Sequence, residues 1–90
     1  MLQLHIIVTG RVQGVGYRYF TQMKAIQYGI TGWVKNRADG SVEMMTSGTK
    51  EKLSQFVEDI RRGNPFSIVE NVEINETENK ERYQSFTIKY

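Results

Sequence analysis

The stretch Gly10-Arg11-Val12-Gln13-Gly14-Val15-Gly16-Tyr17-Arg18 holds the residue types that bind an anion through backbone and charge alone. Gly14 and Gly16 admit positive φ and let consecutive backbone N–H groups approach a ligand closely. Such a run is an anion nest, here formed by the backbone of Gln13, Gly14, Val15, Gly16, Tyr17 and Arg18. A helix is expected to open directly from this loop, and its first N–H groups and dipole also favour negative charge. Arg18 falls just before or within the first turn, where a lone cation opposes the dipole. Beside a nest it makes better sense as a bidentate clamp on phosphate. The alternative is a solvated arginine on an ordinary glycine-rich turn, and spacing alone leaves the two even. Two nucleotide motifs fail. Gly14-Val15-Gly16-Tyr17-Arg18-Tyr19 lacks the last glycine of G-x-G-x-x-G, and no Gly-Lys-Ser/Thr follows.

Asn36 is the second candidate. An asparagine at a strand end is commonly a turn former, yet its amide both donates and accepts and so can orient a water. Lys35, Arg37 and Arg11 read as a positive field that steers an anion. Trp33 reads as core, and Asp39, before Gly40, as a turn former rather than a general base. The chain has no cysteine and one histidine, His5. That excludes a disulfide framework, thiolate zinc sites, cysteine nucleophiles and paired-histidine chemistry. His5 reads as a half-exposed surface residue.

These residues need a scaffold. Leu2, Leu4, Ile6 and Val8 alternate with Gln3, His5, Ile7 and Thr9, which is a strand with one buried face. Tyr19 to Tyr28 reads as a helix capped by a left-handed Gly29. Its inward face is ambiguous: Tyr19, Met23 and Ile26 form one stripe, and Thr21, Ala25 and Tyr28 another. Thr31–Asn36 and Val42–Ser47 read as strands joined by a hairpin at Arg37-Ala38-Asp39-Gly40. Leu53, Phe56, Val57 and Ile60 mark a second helix, ended by Gly63 and Pro65. Val69–Asn75 and Ser85–Tyr90 read as strands, the latter with Phe86, Ile88 and Tyr90 on one face. Residues 76–83 read as a polar loop.

The order β-α-β-β-α-β plus a C-terminal strand predicts an α+β fold. It is a ferredoxin-like α/β sandwich, with two helices packed on a mostly antiparallel sheet. The first helix closes a split β-α-β unit, so the first two strands run in the same direction. The loop at residues 11–18 and Asn36 then meet at one edge of the sheet. With one strand inserted between them, their backbones lie about 10 Å apart.

The 90 residues are expected to form a single domain. Net charge is +2. The first 48 residues carry five bases against two acids, whereas residues 70–81 hold five glutamates against Lys80 alone. That stretch would repel a long nucleic acid, and no aromatic-rich RNA-binding pattern is present. No apolar run approaches the ~18 residues of a membrane span. The start of the chain lacks a basic region before a long apolar run, so no export signal is expected. A cysteine-free chain of this kind fits the cytoplasm, and a monomer that binds neither membrane nor nucleic acid is expected.

Val8-Thr9-Gly10-Arg11-Val12-Gln13-Gly14-Val15-Gly16-Tyr17-Arg18 resembles the first signature of the acylphosphatases. Gly32-Trp33-Val34-Lys35-Asn36-Arg37-Ala38-Asp39-Gly40-Ser41-Val42, followed by Gly48, resembles the second. Both are long and correctly separated, and the resemblance covers the whole chain in length and element order. It implies a ferredoxin-like fold and hydrolysis of small acyl phosphates to a carboxylate and phosphate, with no metal or other cofactor. It also implies that Arg18 is the phosphate-binding arginine and Asn36 the water-positioning asparagine. Tyr17 departs from the phenylalanine usual in the family. The residue inventory suits this chemistry. A carboxylate leaves without a general acid, and the substrate's own phosphoryl oxygens can take the proton of water. A ferredoxin-like module that binds an anion without turnover is the alternative, which fold alone does not separate.

Overall fold

Period-two burial along Leu2–Arg11 builds β1, in which Ile6 and Val8 are fully buried against the helices. The computed structural model describes residues 1–78 and 81–90. The remaining elements are α1 (Tyr17–Gln27), β2 (Thr31–Asn36), β3 (Val42–Gly48), α2 (Lys50–Arg62), β4 (Ile68–Glu76) and β5 (Phe86–Lys89). Within the expected polar loop, Glu76 closes β4 and residues 79 and 80 lie outside the described residues.

The strands form one five-stranded sheet in the order β4-β1-β3-β2-β5. β3 pairs antiparallel with both β1 and β2, so β1 and β2 are parallel with one strand between them. β4 is antiparallel to β1, and β5 adds parallel to β2. This is the expected two-helix, mostly antiparallel sandwich, with one refinement. β1 and β2 are interior strands, flanked by β4 and β5. The loop after β1 and Asn36 therefore meet at the end of the sheet, not along an edge strand.

α1 starts two residues earlier than its pattern suggested. Tyr17 is buried and its hydroxyl donates to the Ile60 carbonyl of α2 at 2.8 Å. The ambiguous face resolves: Thr21 and Ala25 are buried, while Tyr19, Met23 and Ile26 are exposed. The burial of Tyr17 decides the rotation, because residues four apart share a face. Gly29 follows the last turn with φ of 67°, as a left-handed stop requires. In α2, Leu53, Phe56 and Ile60 are buried and Val57 is partly buried, and the Thr49 hydroxyl accepts the Lys52 N–H at 3.3 Å as an N-cap. The helices are tied through Asp59. Tyr28 donates to it at 2.6 Å, and the Lys24 ammonium lies 3.3 Å away.

Trp33 is a correction. Val34 is fully buried toward the helices, so pleating turns Trp33 to the outer face. There it lies between the ammonium groups of Lys89 and Lys35, 4.4 and 5.4 Å from its ring centroid. Tyr90 is another correction. β5 ends at Lys89, so Tyr90 lies beyond the strand and is fully exposed, while Phe86 is buried and Ile88 partly buried. His5 is half-buried on the outer face, 2.6 Å from a Glu43 oxygen.

Candidate active site

The loop between β1 and α1 is shaped by two glycines in left-handed conformation, Gly14 at φ 73° and Gly16 at φ 75°. Gly16 is also the N-cap of α1, with no side-chain cap on the helix N–H groups. Orphan helix donors thus face the space beside the loop. Two side-chain amides brace the loop. Gln13 donates to the carbonyls of both Arg37 and Ser41 at 2.8 Å each, tying it to the β2–β3 hairpin. Asn64 donates to the Val15 carbonyl at 2.9 Å, tying it to the turn after α2.

A cavity of about 170 Å³ opens at this end of the sheet. Gly14, Gly16, Tyr17 and Arg18 line it from the loop and helix, Asn36 from β2, and Ile88 and Tyr90 from the C-terminal strand and its extension. Arg18 and Asn36, far apart in sequence, therefore share one cavity, as the parallel β1–β2 relation requires. Gln13 and Val15 do not line it. Gln13 acts as the brace described above, and Val15 lines a neighbouring cavity.

Arg18 is the second residue of α1. One of its N–H groups donates to the Lys89 carbonyl at 3.2 Å, and its guanidinium carbon lies 4.7 Å from the Tyr90 ring centroid. The C-terminal residues thus hold one side of the guanidinium. Asn36 presents a buried side-chain oxygen that has no hydrogen-bond partner among the described residues. A buried acceptor left unpaired carries a desolvation cost of about 1–3 kcal/mol unless water or ligand meets it.

The other candidates separate. The Asp39 carboxylate accepts from the Ser41 N–H at 2.9 Å and from its hydroxyl at 2.5 Å. Those bonds, with Arg37, hold its carboxyl below the usual range, which is the behaviour of a turn former. The Arg37 guanidinium lies 3.9 Å from Asp39, and the Lys35 ammonium 3.7 Å from Glu43. Burial pushes the Glu43 carboxyl up, but His5, Lys35 and Arg37 outweigh it and leave it below its ordinary value. Arg11 is exposed and makes no ion pair among the described residues. The hydroxyl of Tyr17 is buried, so its pKa is pushed up and it stays a neutral donor to Ile60. The extra oxygen faces α2 and not the cavity chemistry. Among the described residues no group of three or more His, Cys, Asp or Glu side chains could hold a metal ion.

Sequence reasoning missed Asn64 and the approach of Tyr90 to Arg18. Gly63 and Pro65 read as a helix stop, and Asn64 between them carries no reading of its own. Tyr90 carried a signal, since a strand parallel to β2 must end beside Asn36, but the partner of an outer strand is not written in local pattern.

The family model described as Acylphosphatase matches residues 4–88. A protein named acylphosphatase from Bacillus velezensis is 52% identical over 90 residues, which is 100% of both chains. The crystal structure of acylphosphatase from Bacillus subtilis superposes with a TM-score of 0.96 at 49% identity, covering 100% of both chains. An acylphosphatase structure from Coxiella burnetii gives 0.92 at 34% identity, over 98% of this chain and 92% of that one.

Proposed function

The chain belongs to the acylphosphatase family and hydrolyses acyl phosphates; from that premise we propose that the backbone of residues 13–18 and the Arg18 guanidinium hold the phosphoryl group while Asn36 places the attacking water. The observation that carries this reading is the buried, unpartnered Asn36 oxygen in the wall that Arg18 shares. A water that donates one hydrogen to that oxygen has a lone pair free for phosphorus. The water oxygen bonds to phosphorus, and the bond from phosphorus to the acyl oxygen breaks. Its electron pair leaves on the carboxylate. The proton passes to a phosphoryl oxygen of the substrate, so no side chain need act as a strong base. Arg18 and the N-terminus of α1 stabilise the charge that spreads over the phosphoryl oxygens.

In this reading residues 1–90 act as one domain and as a monomer in the cytoplasm, on small acyl phosphates and without nucleic acid. The cysteine-free composition and the acidic stretch at 70–81 support that setting. No helix among the described residues is long and apolar enough to cross a membrane.

The test is phosphate release from benzoyl phosphate by the purified protein, with inorganic phosphate as competitor. Turnover above the uncatalysed rate, inhibited competitively by phosphate, is expected. Phosphate binding without turnover would leave an anion-binding module instead.

A further inference from the structure

We propose that the acyl group of the substrate lies in a second cavity across Gly14 from the phosphoryl site, and that Phe66 and Ile68 select apolar, aromatic acyl groups there. The proposal rests on the reading of the phosphoryl site given above. The second cavity measures about 610 Å³, within the range of roughly 300–1,000 Å³ usual for small-molecule sites. Its walls include Arg11, Val15, Pro65, Phe66 and Ile68, and it shares Gly14 with the phosphoryl cavity. A Cβ built on Gly14 would meet nothing within 4 Å. No side chain or backbone therefore stands where a Gly14 Cβ would project, between the two cavities that share this residue.

Strand order gives the direction. β2, which carries Asn36, lies on one side of β1, and β4, which begins at Ile68, lies on the other. The phosphate loop follows β1 and sits between them. In-line displacement requires the leaving oxygen opposite the attacking water. Water placed from the β2 side thus sends the acyl group toward the β4 side, where the second cavity is.

The apolar wall is held in place. Ser67 accepts the Asn64 N–H at 3.0 Å and donates to the Asn64 carbonyl at 3.1 Å, fixing the turn that carries Phe66. The Asn64 amide then bonds Val15, so turn and phosphate loop form one unit. Ile68 is brought alongside by a register shift at Thr9/Gly10, after which Arg11 pairs with Ile68. A Cβ on Gly10 would lie 2.2 Å from the Ile68 carbonyl oxygen, so only glycine permits this approach. Phe66 and Ile68 remain 73% and 59% exposed. Scattered exposed apolar side chains are ordinary; two that line a cavity against a phosphate loop gain a use when an apolar acyl group covers them.

The test compares kcat/KM for benzoyl phosphate and acetyl phosphate in the wild type, Phe66→Ala, Phe66→Ala/Ile68→Ala, and Met23→Ala on the exposed face of α1. Thermal melting checks the fold of each. The benzoyl-to-acetyl ratio should fall by about tenfold in Phe66→Ala, the lower end for apolar pocket contacts, and further in the double variant. Met23→Ala should keep the wild-type ratio. An unchanged ratio in folded Phe66→Ala and in the double variant would overturn the proposal. Arg18→Ala separates this from the underlying reading, since it should lose both substrates alike. If Arg18→Ala keeps both, the phosphoryl site itself is wrong and the acyl cavity falls with it.

Discussion

The side-chain amide of Asn64 donates to the Val15 carbonyl across 2.9 Å, joining the turn after α2 to the loop before α1. Neither residue lines the phosphoryl cavity, yet their bond fixes the strand of backbone between Gly14 and Gly16. Asn64→Ala should lower stability by about 1 kcal/mol, the net value of one such hydrogen bond. It should also raise the phosphate inhibition constant by loosening the nest. Thermal melting and inhibition by inorganic phosphate measure the two effects, and an unchanged inhibition constant would show that the loop holds its shape without this tie.

Gly14 sits at φ 73° with open space where a Cβ would project. Gly14→Val therefore meets backbone strain rather than a clash. The strain is about 1–2 kcal/mol for a left-handed residue with a Cβ, and more for a β-branched one. The protein should fold but bind phosphate and substrate poorly. A folded Gly14→Val variant with wild-type activity would remove this backbone from the phosphate cradle.

Much of this was legible in the sequence, and the reasons differ by element. The two glycines, Arg18 and Asn36 stand in long motifs, and the β-α-β order alone forces β1 and β2 parallel. Trp33 reads as core in the sequence, but its neighbour Val34 is the buried one, and period two then puts Trp33 on the outer face. The face of α1 was undecidable from its two stripes, because the deciding residue, Tyr17, lay before the expected helix start. The bonds of Gln13 to Arg37 and Ser41, and of Arg18 to Lys89, join segments 24 to 71 positions apart. No local pattern encodes them.

The Asp59 carboxylate is held below its usual pKa, first by the Tyr28 hydroxyl and then by Lys24 and Arg62, against an opposing contribution from burial. A depressed folded value means stability that is fully present above the unfolded pKa of about 4. It is lost as pH falls through the lower folded value. Asp59→Ala should cost about 1.5–3 kcal/mol at neutral pH. The gap between variant and wild type should close in strong acid. Denaturant melts at pH 7 and near pH 2 decide this; a gap independent of pH would show that packing, not charge, links α1 to α2 at this point.

Activity should survive exhaustive treatment with EDTA and should not rise with added Mg²⁺ or Zn²⁺. The described residues offer no cluster of metal-ligating side chains, and the proposed chemistry places the stabilising charge on Arg18. Activity lost on chelation and restored by one metal would contradict this.

Arg18 and Asn36 divide phosphate binding from water placement, and the kinetics of two variants test that division. Arg18 should contact the phosphoryl group in ground and transition states alike. Arg18→Ala should therefore lose phosphate binding as well as turnover, by about 2–5 kcal/mol for a truncated charge pair. Arg18→Lys should not restore it, since lysine lacks the planar fork. Asn36 should hold the water and not the resting phosphate. The deciding measurement is kcat together with the phosphate inhibition constant of Asn36→Ala, with circular dichroism confirming the fold. In Asn36→Ala kcat should be lower by about a hundredfold or more and the phosphate inhibition constant nearly unchanged, the signature of an interaction made only in the transition state. A wild-type kcat in folded Asn36→Ala would contradict it, leaving Asn36 a strand-end residue and the water placed by another group.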